Sequence, residues 1–302
     1  MYEVVIVGGG PAGLSAALIL GRCRRRVLVC DAGSPRNAAA SALHGFFTRD
    51  GTPPLELLRL GREELNSYGI HVREATVTGI TREHSQFTVT IGAAEHVQAQ
   101  ALLLATGTCD QLPSIEGVRE CYGISVHHCP YCDGWEHRDD PLVVLGQGNG
   151  AIGLALSLKT WSRQVTVCTN GWMPKRQQRE QLGTHQIHLR PERVVRLEHQ
   201  DGHVSQVRLD DGAPVDCRGV FFYSSQAQQS EFAKRLGCEF TRKGTVKTDH
   251  LGETCVPGVY VVGDASRDVQ FVVVAAAEGA KAGVAINKAL QARAGLTVRT
   301  DG

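Results

Sequence analysis

Two blocks of the chain share one pattern, in which a continuous apolar run is followed by glycines and then by a segment with helical spacing. In the first block the apolar run covers residues 4–7 and the helical segment covers 14–20. In the second block the run covers 142–145, and a helix is predicted from about 151 to 159. Strands buried in a parallel sheet have such runs, and the helix between two strands brings the chain back to the same edge. The pattern predicts an α/β fold with two doubly wound, Rossmann-like, three-layer domains, the second inserted in the first.

The remaining pattern predicts further elements around the two blocks. Leu55, Leu58 and Leu65 have the spacing of one helix face, within a helix expected at 55–68. Other expected elements are antiparallel strands at 71–80 and 86–91, a buried strand at 101–107 that ends in a turn, an apolar strand at 254–264 that ends in Gly-Asp, and a last helix at about 271–292. We therefore expect an outer domain at 1–112 plus 244–302 and an inserted domain at 113–243.

Composition narrows the class of protein. The 302 residues are 42% hydrophobic and 21% charged, with a formal net charge of +1, which is typical of a soluble globular protein. This balance gives no case for a nucleic-acid or membrane partner. The ten cysteines are scattered, and the first strand starts without a charged leader, so we expect a cytoplasmic protein with reduced thiols. Trp135 and Trp161 are expected to pack in the interior.

The first glycine turn has the features of a dinucleotide-binding site. Gly8 permits the tight turn, Gly10 permits close approach to a pyrophosphate, and Gly13 permits helix packing. The next strand ends at Asp31, an acceptor for ribose hydroxyls. Strand, turn, helix, strand and acid together predict a bound dinucleotide much more strongly than the glycines alone.

The chain also contains a Cys-x-x-Cys pair, Cys129 and Cys132, followed by Asp133. Two cysteines at this spacing form a small disulfide ring suited to thiol–disulfide exchange. With His127, His128 and His137 nearby, a zinc site is an alternative, but no second group of ligands is evident and we predict no metal. Either of His127 and His128 is also a candidate base beside the pair.

The order of motifs resembles the low-molecular-weight thioredoxin reductase family. The resemblance rests on GGGPAG at 8–13, ATG at 105–107, CPYCDG at 129–134, GQGNGA at 146–151 and VPGVYVVGD at 256–264, and it covers nearly the whole chain. It implies an FAD-binding outer domain, an inserted pyridine-nucleotide-binding domain that carries the dithiol, and a homodimer. It also implies a substrate that is a disulfide or dithiol, either a thioredoxin-like protein or a small molecule.

The resemblance assigns roles residue by residue. Cys132 resembles the sulfur that faces the flavin, Cys129 the sulfur that exchanges with substrate, and Asp133 the acid–base residue of the pair. A buried carboxylate next to a dithiol is suited to that role. The residues that resemble FAD ligands are Gly8, Gly10, Pro11, Ala12, Gly13, Asp31, Ala105, Thr106, Gly107, Gly263, Asp264, Gln270 and Phe271. Those that resemble the nucleotide turn are Gly146, Gly148, Asn149, Gly150 and Ala151.

The chain departs from the family after the second turn. NADPH-using members have an arginine-rich stretch there, because a 2′-phosphate needs cationic donors. Here residues 169–175 are TNGWMPK, which leaves Lys175, Arg176 and Arg179 as substitute ligands. Two interpretations stay open: an NADPH-dependent reductase, or an NADPH-independent relative, either a dithiol oxidase of the kind that closes the disulfide in gliotoxin and holomycin or a ferredoxin-linked reductase. A non-enzymatic flavin redox sensor is a third.

Overall fold

A computed structural model describes residues 1–223, 226–267 and 269–296. In the first third of the chain the elements are β1 (Tyr2–Val7), α1 (Pro11–Arg22), β2 (Val27–Asp31), α2 (Pro54–Asn66), β3 (Val72–Glu74), β4 (Val77–Glu83), β5 (Gln86–Ile91), β6 (Glu95–Leu104) and β7 (Thr108–Asp110).

The middle of the chain contains α3 (Val118–Cys121), β8 (Val126–His127), α4 (Pro130–Asp133), β9 (Leu142–Leu145), α5 (Gly148–Leu158), β10 (Val165–Cys168), α6 (Arg176–Thr184), β11 (His188–Arg190), β12 (Val194–Gln200), β13 (His203–Leu209), β14 (Val215–Asp216) and β15 (Gly219–Phe222). After it follow β16 (Gln226–Gln228), α7 (Phe232–Arg235), β17 (Val259–Val261), a 3₁₀ turn (Gly263–Ala265) and α8 (Val272–Arg293).

The chain divides into two compact units. The first comprises Met1–Ala38, Gly45–Cys109 and Ala227–Gly302, and the second comprises Ala39–His44 and Asp110–Gln226. Residues 227–243, which the sequence pattern places in the inserted segment, thus belong to the first unit. The physical reason is that Ala233 and Cys238 are buried in the apolar cluster of that unit.

The first unit is built on a seven-stranded sheet with the order β3-β2-β1-β6-β5-β4, in which β17 also pairs with β6. β1 is parallel to both β2 and β6, and its residues Val4, Val5 and Ile6 are fully buried. Because β1 is central, its carboxyl end brings the first glycine turn to the middle of the sheet edge, which is where α/β proteins bind ligands.

Helices α1 and α8 pack closely on one face of this sheet. A Cβ atom on Gly279 would lie 1.9 Å from the carbonyl oxygen of Ala12, so only glycine permits this approach. Of the three leucines with the spacing of one face of α2, Leu58 and Leu65 are buried and Leu55 is 57% exposed. Leu55 lies at the start of α2, where a side chain reaches solvent before the helix meets the core.

The second unit is built on a five-stranded parallel sheet with the order β11-β10-β9-β15-β8. Helix α5 packs on one face, where Ala151, Ala155 and Leu158 are buried against the sheet. The other face packs against the antiparallel strands β12, β13 and β14. Strand order reverses between β9 and β15, so the crevice at their carboxyl ends is the position expected of a ligand in such a fold. Among the described residues, no helix is both long enough and apolar enough to cross a bilayer.

Candidate active site

Cys129 and Cys132 form a disulfide, with their Cα atoms 5.3 Å apart. Helix α4 starts at Pro130, whose fixed φ suits a first helical position. The backbone N–H groups of Cys132 and Asp133 both donate to the carbonyl oxygen of Cys129, at 3.2 Å. This single turn brings the two sulfurs together and places the Asp133 carboxyl group one residue beyond the second sulfur.

The turn is held by aromatic packing. A Cβ on Gly134 would lie 2.8 Å from the ring of Trp161, so the missing side chain lets this ring lie directly under α4. Tyr131 meets the same ring edge-on, with centroids 5.4 Å apart. The packing expected for Trp135 is wrong: Trp135 is 64% exposed, and the guanidinium of Arg138 lies over its ring at 4.4 Å, which stabilises an aromatic ring at the surface.

Asp133 belongs to a line of polar side chains within the second unit. Its Oδ1 lies 3.2 Å from Nδ1 of His127, a residue that is 6% exposed. Nε2 of His127 lies 3.0 Å from Nε2 of His137. Nδ1 of His137 lies 3.8 Å from Oδ2 of Asp140. Burial in the first place, and His127 in the second, lower the pKa of His137. The candidate base His127 is therefore in direct contact with the carboxyl group that follows the dithiol.

His128 belongs to a different network. The hydroxyl of Tyr122 donates to Oδ2 of Asp110 at 2.9 Å and lies 3.3 Å from Nδ1 of His128. His127 ends β8 and His128 is the first residue after it, so the two side chains have different neighbours. Among the described residues, no cluster of three or more His, Cys, Asp or Glu side chains has the arrangement of a metal site.

The first glycine turn has the predicted conformation. Gly8 has φ +108°, and a Cβ there would lie 2.3 Å from the carbonyl oxygen of Ala105. A Cβ on Gly13 would lie 1.9 Å from the carbonyl oxygen of Gly8. By contrast, a Cβ on Gly10 would have no atom within 4 Å. Gly8 and Gly13 are thus required by packing, whereas Gly10 faces open space.

Two carboxylates of the first unit bind arginines that the sequence analysis did not single out. Asp31 accepts from Nη2 of Arg62 and from the backbone N–H of Gly33 at 3.3 Å. Asp264 accepts from Nη1 of Arg36 at 2.9 Å, and the same nitrogen donates to Oε1 of Gln270 at 2.6 Å. Arg36 thus connects two of the residues that resemble FAD ligands.

The other FAD-ligand candidates lie at element ends and turns of the first unit. Pro11 and Ala12 begin α1, and Gly263 begins the 3₁₀ turn and donates its N–H to Glu278 at 3.0 Å. Phe271 is the N-cap residue of α8. Thr106 accepts from the hydroxyl of Ser230 at 3.3 Å, and the carbonyl of Gly107 accepts from the N–H of Gln229 at 3.1 Å.

The second glycine turn has the expected backbone but a covered surface. Gly146 and Gly148 have φ +153° and +74°, and Ala151 is buried at the helix start. At Gly150, however, a Cβ would lie 2.1 Å from Cζ of Tyr223. Tyr223 follows β15, and its ring lies directly against the turn. A tyrosine therefore covers the glycine surface at the point where the strand order reverses.

Side-chain hydrogen bonds connect this turn to the loop where 2′-phosphate ligands are expected. Nε2 of Gln147 donates to the carbonyl of Asn170 at 3.2 Å, and Nε2 of Gln178 donates to Oδ1 of Asn149 at 2.7 Å. Oδ1 of Asn170 in turn accepts from the N–H of Val194 at 3.0 Å.

The basic residues of this loop are only partly available to a phosphate. Lys175 is the N-cap residue of α6. Arg176 is paired with Glu180 at 2.7 Å, and Arg179 is an exposed residue in the first turn of α6. The loop between β10 and α6 contains no arginine, and Lys175 at its end is its one basic residue.

Sequence reasoning missed the roles of Arg36, His137 and Tyr223. Arg36 lies in the long connection between β2 and α2, and unusual loop length is a general signal of function that could have drawn attention to it. His137 was considered only as a metal ligand. Tyr223 follows an apolar strand of the inserted unit, and position after such a strand is a general signal for ligand contact in α/β folds.

The comparisons with known proteins agree with this architecture. The family model described as pyridine nucleotide-disulphide oxidoreductase matches residues 2–279. A protein of Arthroderma benhamiae, named a probable thioredoxin reductase, is 32% identical over 88% of this chain and 74% of its own length. Thioredoxin reductase of Aquifex aeolicus is 27% identical over 97% of this chain and 94% of its own length. The crystal structure of HlmI is 37% identical and superposes with a TM-score of 0.94, covering 97% of this chain and 93% of that one.

Proposed function

Because the chain belongs to the pyridine nucleotide-disulphide oxidoreductase family, we propose that it is an FAD-dependent enzyme in which the Cys129–Cys132 pair exchanges electrons with the flavin and with an external thiol or disulfide. The observation that carries the proposal is the disulfide itself, placed on a single helical turn and followed by a carboxyl group. Eight other cysteines are unpaired, and several are buried in apolar surroundings that raise their pKa, as at Cys168, where it rises to about 12.

The first unit fits FAD. Helix α1 starts without a side-chain cap, so its first N–H groups and the positive end of its dipole are available to a pyrophosphate. The open space at Gly10 is where the pyrophosphate would lie. Asp31, paired with Arg62, would hold a ribose hydroxyl, and Asp264, positioned by Arg36, would hold the ribityl chain. When bound, FAD supplies the two-electron redox centre that accepts electrons from a dithiol or delivers them to a disulfide.

In this proposal Cys129 reacts with the external substrate and Cys132 exchanges electrons with the flavin, as in the family that the chain resembles. Asp133 takes up a proton when a thiol loses it and returns a proton to a leaving sulfur. Tyr131 and Trp135 are 69% and 64% exposed next to the pair. This aromatic surface is suited to contact an apolar or aromatic substrate.

The second unit favours a nucleotide-independent reaction, which is our more specific candidate. Tyr223 covers Gly150, so a pyrophosphate does not have the close backbone approach that the turn otherwise offers. The segment after β10 has no arginine before Arg176. The residues of this unit therefore do not fit NADPH. As a dithiol oxidase, the enzyme would take two electrons and two protons from a substrate dithiol, which becomes a disulfide, and O₂ would accept both as hydrogen peroxide.

The direct test is dithiol-driven flavin reduction in single-cysteine variants. Under anaerobic conditions dithiothreitol should bleach the flavin of the wild-type protein. Cys132→Ser should lose this reaction by at least about a hundredfold, because no disulfide remains to accept electrons. Cys255→Ser, which changes an exposed unpaired cysteine, is the matched control and should behave as wild type. Equal rates in wild type and Cys132→Ser would remove the pair from the reaction.

The substrate, the homodimer and the cytoplasmic location remain predictions. The first two come from the family resemblance, and the third comes from composition. A redox sensor without turnover would bleach once with dithiothreitol but would not oxidise a dithiol catalytically in air. Steady-state oxygen uptake in the presence of a dithiol distinguishes the two.

A further inference from the structure

A line of four side chains leads from the position after Cys132 toward the surface of the second unit. The order is Asp133, His127, His137 and Asp140, with separations of 3.2 Å, 3.0 Å and 3.8 Å. The exposed fractions of the four side chains are 21%, 7%, 12% and 41%. The two histidines are thus the enclosed middle of the line, and Asp140 is its most exposed end.

Thiol–disulfide chemistry at Cys129–Cys132 moves protons as well as electrons. Reducing the disulfide to two thiols consumes two electrons and two protons, and the reverse reaction releases them. Asp133 holds only one proton at a time, so it must be reloaded or discharged within each cycle. Water is one source, but the His127 side of Asp133 is enclosed by protein.

We infer that His127 and His137 form a proton relay that connects Asp133 with Asp140 and with solvent. The inference rests on the proposed role of the cysteine pair. Histidine is suited to it because the ring receives a proton at one nitrogen and releases another at the second nitrogen. The Nε2 atoms of the two rings face each other at hydrogen-bonding distance, so one donates and the other accepts.

The transfer balances as follows for a proton that leaves the dithiol. A proton on Asp133 moves to Nδ1 of His127, and the proton on Nε2 of His127 moves to Nε2 of His137. The proton on Nδ1 of His137 then leaves toward Asp140. Both rings end in the other neutral tautomer, and one proton has crossed the line. The last separation, 3.8 Å, exceeds a direct hydrogen bond, so a water molecule completes it.

The environment of the two histidines favours passing a proton on over holding a positive charge. His127 also packs against the ring of Phe221, with centroids 5.6 Å apart. The titratable groups that influence His137 are His127, Asp140, Asp133 and His203. Glu136, the residue before His137, has its Oε1 atom 3.5 Å from Nε2 of His44. Burial lowers the pKa of His137, which keeps this ring neutral and able to change tautomer near pH 7.

The backbone fixes the position of the second ring. A Cβ on Gly219 would lie 3.0 Å from both Cγ and Nδ1 of His137, so the ring rests on the β15 backbone where a side chain is missing. His127 is the last residue of β8, which pairs with β15 through Phe221. The two histidines are therefore placed by neighbouring strands of one sheet.

The test mixes the anaerobic holoenzyme with dithiothreitol and records two signals. One is flavin absorbance, and the other is the fraction of Cys129–Cys132 thiols trapped by iodoacetamide at successive times. The second signal reports opening of the Cys129–Cys132 disulfide, a step that does not itself need electron transfer to FAD. His137→Ala should slow the appearance of thiols by about tenfold or more. Added imidazole should restore the rate in proportion to its concentration, whereas His185→Ala, which changes an exposed histidine of the same unit, should remain at the wild-type rate.

Further variants separate a relay from a structural role. His137→Asn keeps a polar side chain but does not conduct protons, so it should remain slow. Asp140→Asn, at the more exposed end, should slow thiol formation in dilute buffer and recover in concentrated buffer. An unchanged rate in both His137→Ala and Asp140→Asn, or full recovery with asparagine at position 137, would overturn the relay. If thiols form as predicted in every variant while dithiothreitol never bleaches the wild-type flavin, the proposed function fails and the relay stands.

Discussion

The ring of Tyr223 lies so close to Gly150 that a Cβ atom on the glycine would be 2.1 Å from Cζ of the tyrosine. The glycine turn keeps the backbone of a nucleotide site while a side chain from the next strand covers it. Tyr223 is 56% exposed, so it is held by this contact rather than by burial in the core.

Removing this ring should open the turn. We expect the wild-type protein to bind NADPH with a dissociation constant above ~1 mM, and Tyr223→Ala to bind at least about tenfold more tightly. Isothermal titration measures both. Tyr131→Ala, which removes an exposed aromatic ring elsewhere in the same unit, should leave the affinity unchanged. Micromolar binding by the wild-type protein would show that Tyr223 does not close the turn.

Gly13 and Gly10 should respond differently to alanine. Gly13→Ala places a methyl group 1.9 Å from the carbonyl oxygen of Gly8, which should destabilise the protein by roughly 3 kcal/mol even without FAD. Gly10→Ala meets no atom within 4 Å, so the free energy of unfolding of the FAD-depleted protein should stay within ~0.5 kcal/mol. Its FAD affinity should nevertheless fall by at least about tenfold, because the methyl group occupies the space of the pyrophosphate.

Denaturant unfolding and FAD fluorescence on the same two variants distinguish these effects. If Gly10→Ala binds FAD as tightly as wild type, the pyrophosphate does not lie at this turn.

His137 should make stability depend on pH. Its pKa in the folded protein is lowered, first by burial and then by His127, whereas the unfolded chain has a histidine pKa of about 6.5. Between the two values the unfolded state binds more protons, so the free energy of unfolding falls as pH falls through this window and is unaffected above it. Urea unfolding of His137→Gln should show a smaller fall below about pH 6.5 than wild type. If the free energy of unfolding had the same pH dependence in both proteins, the lowered pKa would not belong to His137.

The unpaired cysteines should separate into two reactivity classes. Cys23, Cys109 and Cys255 are exposed, whereas Cys168 and Cys217 are buried with pKa values raised to about 12 by burial. Iodoacetamide at pH 8 should label the exposed group in the native oxidised protein and leave the buried group unlabelled. After mild reduction, Cys129 should join the labelled set. Peptide mass spectrometry measures each site, and rapid labelling of Cys168 would contradict the described burial.

Much of the fold follows from pattern because the apolar runs are long and continuous. The predicted helix at 55–68 is observed at Pro54–Asn66, and the last helix, expected at about 271–292, is observed at Val272–Arg293. Trp135 was predicted to be buried and is exposed, because the size of an apolar side chain does not say whether its position lies in the core.

The parts of the site that depend on contacts between residues far apart in the chain could not be predicted from sequence. Cys129, Cys132 and Asp133 lie within five residues of one another in the chain, so their spacing was enough to identify them. Tyr223 and Gly150, or Arg36 and Asp264, come together only when strands take their order in the sheet. The departure after β10 was visible in sequence as missing arginines, but the ring that covers the turn was not.

Anaerobic mixing of the holoenzyme with dithiothreitol and, separately, with NADPH tests the central claim most directly, with flavin absorbance as the signal. We predict rapid bleaching by dithiothreitol through Cys129–Cys132 and no comparable bleaching by NADPH. Rapid bleaching by NADPH would contradict the nucleotide-independent reaction, and failure of dithiothreitol to bleach the flavin would contradict the role of the cysteine pair.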